Sequence, residues 1–206
     1  QPDGQGQVSN FPLNAAERIE VLRGPFSALY GNASGGVIAM STRLLPEPFT
    51  PALALAAGSY GTWRAAASAY GGIDPYAYAF DVSAFSTRGY REHSAATRQV
   101  LNLSGGWLDG PLGQLRVTFN GLAMPDAQDP LGLTREQWER DPAAASPLAL
   151  LFDTRKTTRQ NQVSTQLTKA FGAGWSYSVV AWLGERSVQQ FQAIPVATQL
   201  NPQSPG

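Results

Sequence analysis

From Ala52 to Ser187 the chain alternates apolar and polar residues in short runs, with tight turns between them. This period of two constrains the fold more than any other feature, because successive side chains of a strand point to opposite faces. Tyr76–Thr87 is the clearest run: Tyr76, Tyr78, Phe80, Val82 and Ala84 share one face, with Asp81 and Ser83 opposite. Thr97–Leu108 sets Leu101, Leu103 and Trp107 against Asn102 and Ser104, and Gln114–Ala123 sets Leu115, Val117 and Phe119 against Arg116, Thr118 and Asn120. Trp175–Ser187 aligns Trp175, Tyr177, Val179, Ala181 and Leu183. Ala52–Ala57, Trp63–Tyr70 and Thr158–Phe171 bring the expectation to about seven antiparallel strands.

The connections differ in kind. Gly71–Pro75, Asp109–Gly113 and Gly172–Gly174 are tight by composition, whereas Gly58–Gly61, Gly89–Ala96 and Pro125–Lys156 are more variable. Within the longest, Thr134 and Gln137 form a capping-box pattern for a short helix bounded by Pro142, and Ser146-Pro147 opens a second candidate. Short turns at one end and longer loops at the other are the pattern of an outer-membrane barrel. Trp63, Tyr70, Tyr76, Trp107, Phe171 and Trp175 fall near strand ends, as an interfacial girdle requires. The competing reading is a soluble antiparallel sheet with one solvated face. Against it, only 15% of residues are charged, below the ~25% usual in soluble domains, and the only lysines are Lys156 and Lys169. No run reaches the roughly 18–20 apolar residues of a membrane helix, which leaves barrel strands open.

Composition excludes several chemistries. There is no cysteine, hence no disulfide framework and no cysteine nucleophile or metal ligand. His93 is the single histidine, which removes the usual histidine-based metal and triad arrangements. The formal charge is zero, so no basic surface argues for nucleic acid. The chain opens at Gln1, with no visible signal peptide, and is read as a processed chain or an internal fragment of a longer protein, the fragment being the favoured reading.

The first 45 residues have another texture. Arg18–Leu22 and Val37–Ser41 read as strands around a glycine-punctuated stretch, and Pro25 and Gly31 bound a helical turn expected over Phe26–Tyr30. Glu17-Arg18-Ile19-Glu20-Val21-Leu22-Arg23-Gly24-Pro25, then Ala28-Leu29-Tyr30-Gly31, then Gly35-Gly36-Val37-Ile38, closely resembles the end of the plug domain of TonB-dependent outer-membrane receptors. The motif spans about 26 residues in three ordered blocks. The Gly58–Thr62 corner and the helical third loop resemble the ferric-siderophore branch.

The resemblance implies a mainly β architecture: the C-terminal part of a plug over residues 1–45, a Pro-rich hinge over 46–51, and the first part of a barrel over 52–206. In that family the plug sits inside a 22-stranded transmembrane barrel, so about seven antiparallel strands make an incomplete one. It implies no enzyme activity and no cofactor, iron entering only within the transported chelate. The implied partners are a ferric siderophore or similar small chelate, the TonB energy-transducing protein and outer-membrane lipid, at the bacterial outer membrane. The same family with a cobalamin, nickel-chelate or oligosaccharide cargo is the nearest alternative. A barrel enzyme or a soluble β-sheet binding domain belongs to other classes, and no nucleophile with a base in reach supports the former.

Site expectations follow from the same resemblance. Arg23 is where the family places an arginine that pairs with barrel glutamates, here on strands beyond this chain. Glu20, Gly24, Pro25, Tyr30, Gly31, Gly35 and Gly36 are the remaining plug-motif positions, their glycines permitting tight turns. Ligand-binding candidates are Tyr60 and Trp63 near the first outer corner, and Tyr90, Arg91 and His93 in the second loop, where aromatic and cationic groups suit an anionic chelate. The 125–156 loop is a candidate lid anchored by Trp138.

Overall fold

The computed structural model describes residues 13–25, 35–42, 44, 48–194, 196 and 200. A 3-10 turn at Leu13–Ala15 leads into a two-stranded antiparallel sheet of β1 (Ala16–Arg23) and β2 (Gly36–Thr42). A second, seven-stranded sheet follows: β3 (Thr50–Gly58), β4 (Thr62–Ile73), β5 (Tyr76–Thr87), β6 (Ala96–Gly110), β7 (Gly113–Gln128), β8 (Arg155–Ala170) and β9 (Ser176–Phe191). Each strand pairs antiparallel with its chain neighbours, so the sheet is a simple meander, with seven strands as expected.

The strands outrun the sequence alternation because backbone pairing continues where side chains stop alternating. β6 and β7 close on each other at Gly110↔Gly113, and β8 reaches back to Arg155, paired with Phe191. β3 begins at Thr50, inside the Pro-rich stretch, and Pro51 stands opposite Ala69. The last two residues of the expected hinge are therefore strand. Pro51 stands at the very start of β3, where a residue without an N–H is tolerated. Residues 45–47, and with them the first two residues of the expected hinge, lie outside the described residues.

Register gives each face of the sheet one identity. The row Ala69↔Phe80↔Leu103↔Phe119↔Val163↔Leu183 runs across β4 to β9 on one side. That side also carries Leu53, Leu55, Tyr78 and Val82, all exposed, with Leu183 81% accessible. The opposite side carries Asp81, Asn102 and Ser104, all buried, and on β8 a polar series from Thr158 through Gln160, Gln162, Ser164 and Gln166 to Thr168. Phe85, Val100 and Leu122, and on β9 Val180, Trp182 and Val188, are large apolar residues on that side. Apolar outside and polar inside is the reverse of a water-soluble sheet and the arrangement of a transmembrane barrel wall.

The edge of the apolar band supplies a further test. On β4 the band reaches Trp63; on β6 it stops at Leu101, before Gln99; on β9 it stops at Leu183, before Glu185. The register row of Leu183 crosses β4 at Ala69, so the boundary descends 69 − 63 = 6 residues over the five gaps from β4 to β9. At ~3.3 Å per residue and ~4.8 Å per gap that is a slope of about 40°. Strands of outer-membrane barrels tilt by that amount, and a band level with the membrane must cross tilted strands obliquely.

Aromatic rings gather at the tight-turn end. Tyr76 stacks on Trp107 with centroids 6.2 Å apart, Phe171 meets Tyr177 at 5.6 Å, and the Lys169 ammonium lies 6.0 Å from the Phe171 ring while donating to Pro111 O. Amphipathic rings in such a row suit a membrane–water boundary. Tyr70 is a correction to the expected girdle. The β3–β4–β5 register turns it to the polar side, because it is an odd number of residues from the outward Trp63 and Ala69.

Candidate functional site

The open end of the β1–β2 hairpin meets the polar side of the large sheet, at Glu17 and Thr42. Its alternating RIEVL core pairs evenly, Ile19↔Met40, Val21↔Ile38 and Arg23↔Gly36, after a bulge between Ala16 and Arg18. Arg18 and Glu20 form an exposed ion pair on it at 2.5 Å. Two motif glycines are required by geometry. Gly24 has φ +116°. Gly36 has φ +139°, and a Cβ there would stand 2.6 Å from Leu22 O. Gly35 faces open space, so close approach does not explain it, and Pro25 is exposed. Tyr30 and Gly31, with the expected helical turn at 26–30, lie outside the described residues. Arg23 is exposed at the end of β1 and makes no ion pair among the described residues.

The contact that sequence reading missed is on β7. Arg116, inward-facing between Leu115 and Val117, donates through Nη2 to Thr42 O at 2.6 Å and to Thr42 Oγ1 at 2.8 Å. Glu17 at the start of the hairpin lies within electrostatic reach of the same guanidinium. Beside it, a Cβ on Gly106 would come within 2.6 Å of Leu44 Cδ2, so the bare backbone of β6 makes room for Leu44 as the chain leaves β2. Glu17, Thr42, Tyr70, Asp81 and Asn102 border a cavity of about 320 Å³ between hairpin and sheet. The hairpin is thus fastened where the chain passes from it into the wall. Only register reveals that Arg116 faces Thr42, since in sequence it is one polar residue of an alternating strand.

The long-loop end is built differently. The loop after β7 carries α1 (Arg135–Arg140) and α2 (Pro147–Phe152). The expected capping box is present: Gln137 N–H donates to Thr134 Oγ1 and Thr134 N–H to Gln137 Oε1. Ser146 precedes α2 as expected but makes no side-chain cap.

Two of the five candidate ligand residues are engaged in holding this loop. The Arg91 guanidinium donates to Ala144 O at 3.0 Å, Leu131 O at 2.7 Å and Pro130 O at 3.3 Å. His93 Nε2 lies 2.9 Å from Thr154 O and 3.7 Å from Asp153 Oδ1, its side chain nearly buried. Glu92 N–H donates to Ala143 O. Arg91 and His93 therefore tie the 88–95 loop to the 129–154 loop, and their hydrogen-bonding capacity is directed at backbone carbonyls. Trp63 stands on the outward, apolar side, in register with Ser86 and Ala57, away from the hairpin. Tyr60 and Tyr90 are exposed and meet edge to face at 5.4 Å.

Tyr90 and Arg91 join Thr134, Arg135, Trp138 and Pro142 around a cleft of about 400 Å³ between the two loops. All four non-glycine residues with left-handed φ among the described residues, Tyr60, His93, Leu131 and Asp153, lie at this end. Backbone held in that region costs energy and concentrates at functional loops.

An inward polar wall, an outward apolar band tilted by about 40°, and a glycine-dependent hairpin fastened inside define a plugged barrel segment. Residues 1–37 match the TonB-dependent Receptor Plug Domain. The Vitamin B12 transporter BtuB of Photobacterium profundum is 37% identical over 71 residues, which cover 34% of this chain and 12% of that protein. The chain thus spans only a small part of the length of that relative. Over residues 1–37 the chain is similar to that plug domain, a meander of antiparallel strands with an outward apolar face follows, and the chain's place is the bacterial outer membrane.

Proposed function

We propose that the whole receptor takes up a small metal chelate from outside the cell and passes it inward when the plug rearranges, driven through TonB. The observation that carries this reading is the seating of the β1–β2 hairpin on the polar face, through Arg116 and Thr42, with an apolar face turned outward. A wall so built encloses a hydrated lumen, and a hairpin inside it obstructs that lumen until it moves. No step calls for a resident cofactor or for bond-making by the protein. The cleft beside Tyr90, Arg135 and Trp138 is the place where cargo would first dock, since stacking and cationic groups suit flat or anionic chelates.

The finer reading is a ferric siderophore, supported by the Gly58–Thr62 corner and the helical loop of α1 and α2. A corrinoid is the second reading, favoured by the name of the relative. Expression of the complete gene in strains unable to take up each cargo tests both, alongside tryptophan quenching with a panel of iron chelates and corrinoids. Growth rescue and quenching by iron chelates support the first; rescue and quenching by corrinoids alone establish the second. Rescue by neither, with the protein folded in the outer membrane, removes the proposal. The Arg23 pairing with barrel glutamates stays part of this reading, tested by uptake in Arg23→Ala.

A further inference from the structure

The outward face of the sheet is interrupted where the apolar band ends. A shallow notch of about 520 Å³ opens between β6 and β8 over β7. Its floor is Gly121, with Leu101 beside it and the Phe119 ring along its lower end, 3.3 Å from where a Gly121 Cβ would stand. Register puts Leu101, Gly121 and Asn161 in one row, and Gln99, Ala123 and Arg159 in the next row toward the long loops. Three polar groups therefore stand at the upper end of an apolar slot: Gln99, Asn161 and Arg159.

This is where the band stops on these strands, after Leu101 on β6 and after Val163 on β8. Arg159 is exposed and makes no ion pair among the described residues. The facing residue on β9 is the uncharged Ser187, and the nearest carboxylate by register is Glu185, opposite Asn161 one row lower. An outward guanidinium at the edge of hydrocarbon is costly unless it reaches an anion at the headgroup level. A phosphate matches its two-pronged donor geometry. The amides of Gln99 and Asn161 add donors and acceptors for neighbouring headgroup hydroxyl or amide groups. The slot below is apolar, bounded by Leu101, Ala123 and the Phe119 ring that leans over Gly121.

We propose that this notch binds a phosphate-bearing lipid of the outer leaflet, with its phosphate on Arg159 and an acyl chain over Gly121 between Leu101 and Phe119. The site is on the lipid side of the wall, opposite the hairpin, and is independent of which cargo the receptor carries.

The test uses the complete gene product purified in detergent and titrated with lipid A bearing its phosphates, with bound lipid counted by native mass spectrometry. Arg159→Gln is expected to weaken retention about tenfold, Gly121→Leu to weaken it similarly by filling the slot, and Arg159→Lys to keep most of it. Removing the phosphates from the lipid should reproduce the Arg159→Gln loss, and inorganic phosphate should compete poorly because it lacks the chain. Wild-type retention in both Arg159→Gln and Gly121→Leu overturns the proposal, as does equal retention of phosphate-free lipid. Full displacement by inorganic phosphate reduces the site to a surface anion contact and overturns the lipid assignment. Heat-modified gel migration reports folding. Should Gly121→Leu not fold, the Arg159→Gln and Arg159→Lys pair decides. Cargo uptake is not the readout, so failure of the transport reading leaves this result interpretable.

Discussion

The two faces of the β3–β9 sheet are made from the same strands and invert the usual relation between polarity and burial. Leu53, Leu55 and Leu183 are among the most exposed side chains, while Asp81, Asn102 and Thr158 are among the most buried. In water such a sheet would lose the stabilisation that burial of apolar area provides, roughly 25 cal/mol per Å². In a bilayer the outer face costs nothing, and the inner face is left to bond among its own polar groups and to the hairpin. Asn102 Nδ2 donates to Asn120 Oδ1 at 2.6 Å, and the Ser104 and Thr118 hydroxyls meet at 3.1 Å, both across the β6–β7 ladder. The difference teaches that one face answers to the solvent and the other to specific partners. Substitutions on the outer face should therefore follow depth in the membrane, and those on the inner face should follow the partner lost.

The largest expected effect comes from breaking the outer face. Leu103→Arg puts a charge at the centre of the apolar band and should cost about 2–4 kcal/mol, measured by reversible folding of the complete gene product into lipid vesicles. An unchanged folding free energy would contradict a lipid-facing assignment. Next is the attachment of the hairpin. Arg116→Ala removes both bonds to Thr42, and hydrogen bonds to charged groups contribute about 1.5–3 kcal/mol. Amides of β2 should then exchange with solvent about 10–100 times faster, with β7 and β8 amides little changed; slow exchange in β2 would mean that the hairpin holds itself. Asn102→Ala leaves the half-buried Asn120 carbonyl without its donor, at about 1–3 kcal/mol, read from the same vesicle refolding. A cost near zero there would show that lumen water replaces the partner. The smallest effect lies at the loop end, away from both faces. Thr134→Ala removes the cap of α1 for about 1 kcal/mol, visible as faster proteolysis within 135–140 while the barrel strands stay intact.

Much of this architecture was legible in the chain because its signals are local. Alternation marked every wall strand, and Thr134 with Gln137 marked a helix start that depends on residues three apart. The plug motif was legible for the same reason, since Gly24 and Gly36 are glycines to satisfy a backbone conformation within one hairpin. The loop candidates were not legible. Tyr90, Arg91 and His93 look alike in sequence as exposed loop residues, yet Arg91 and His93 are drawn to carbonyls of a loop some 40 to 60 residues away. Nothing near them in sequence signals those carbonyls. Trp63 and Tyr70 pose the same difficulty at close range, because seven residues separate them and one step of parity sends them to opposite sides.

The sequence by itself determined the strands, their turns, the short helices and the plug-like hairpin, because each rests on periodicity or backbone chemistry within a few residues. Only the tertiary structure decided that Arg116 grips Thr42, that Gly106 admits Leu44, that Arg91 and His93 bind loop to loop, and that the apolar band runs about 40° off the perpendicular to the strands. Those facts depend on register between strands far apart in the chain. Register accumulates strand by strand through bulges, and no single segment contains it.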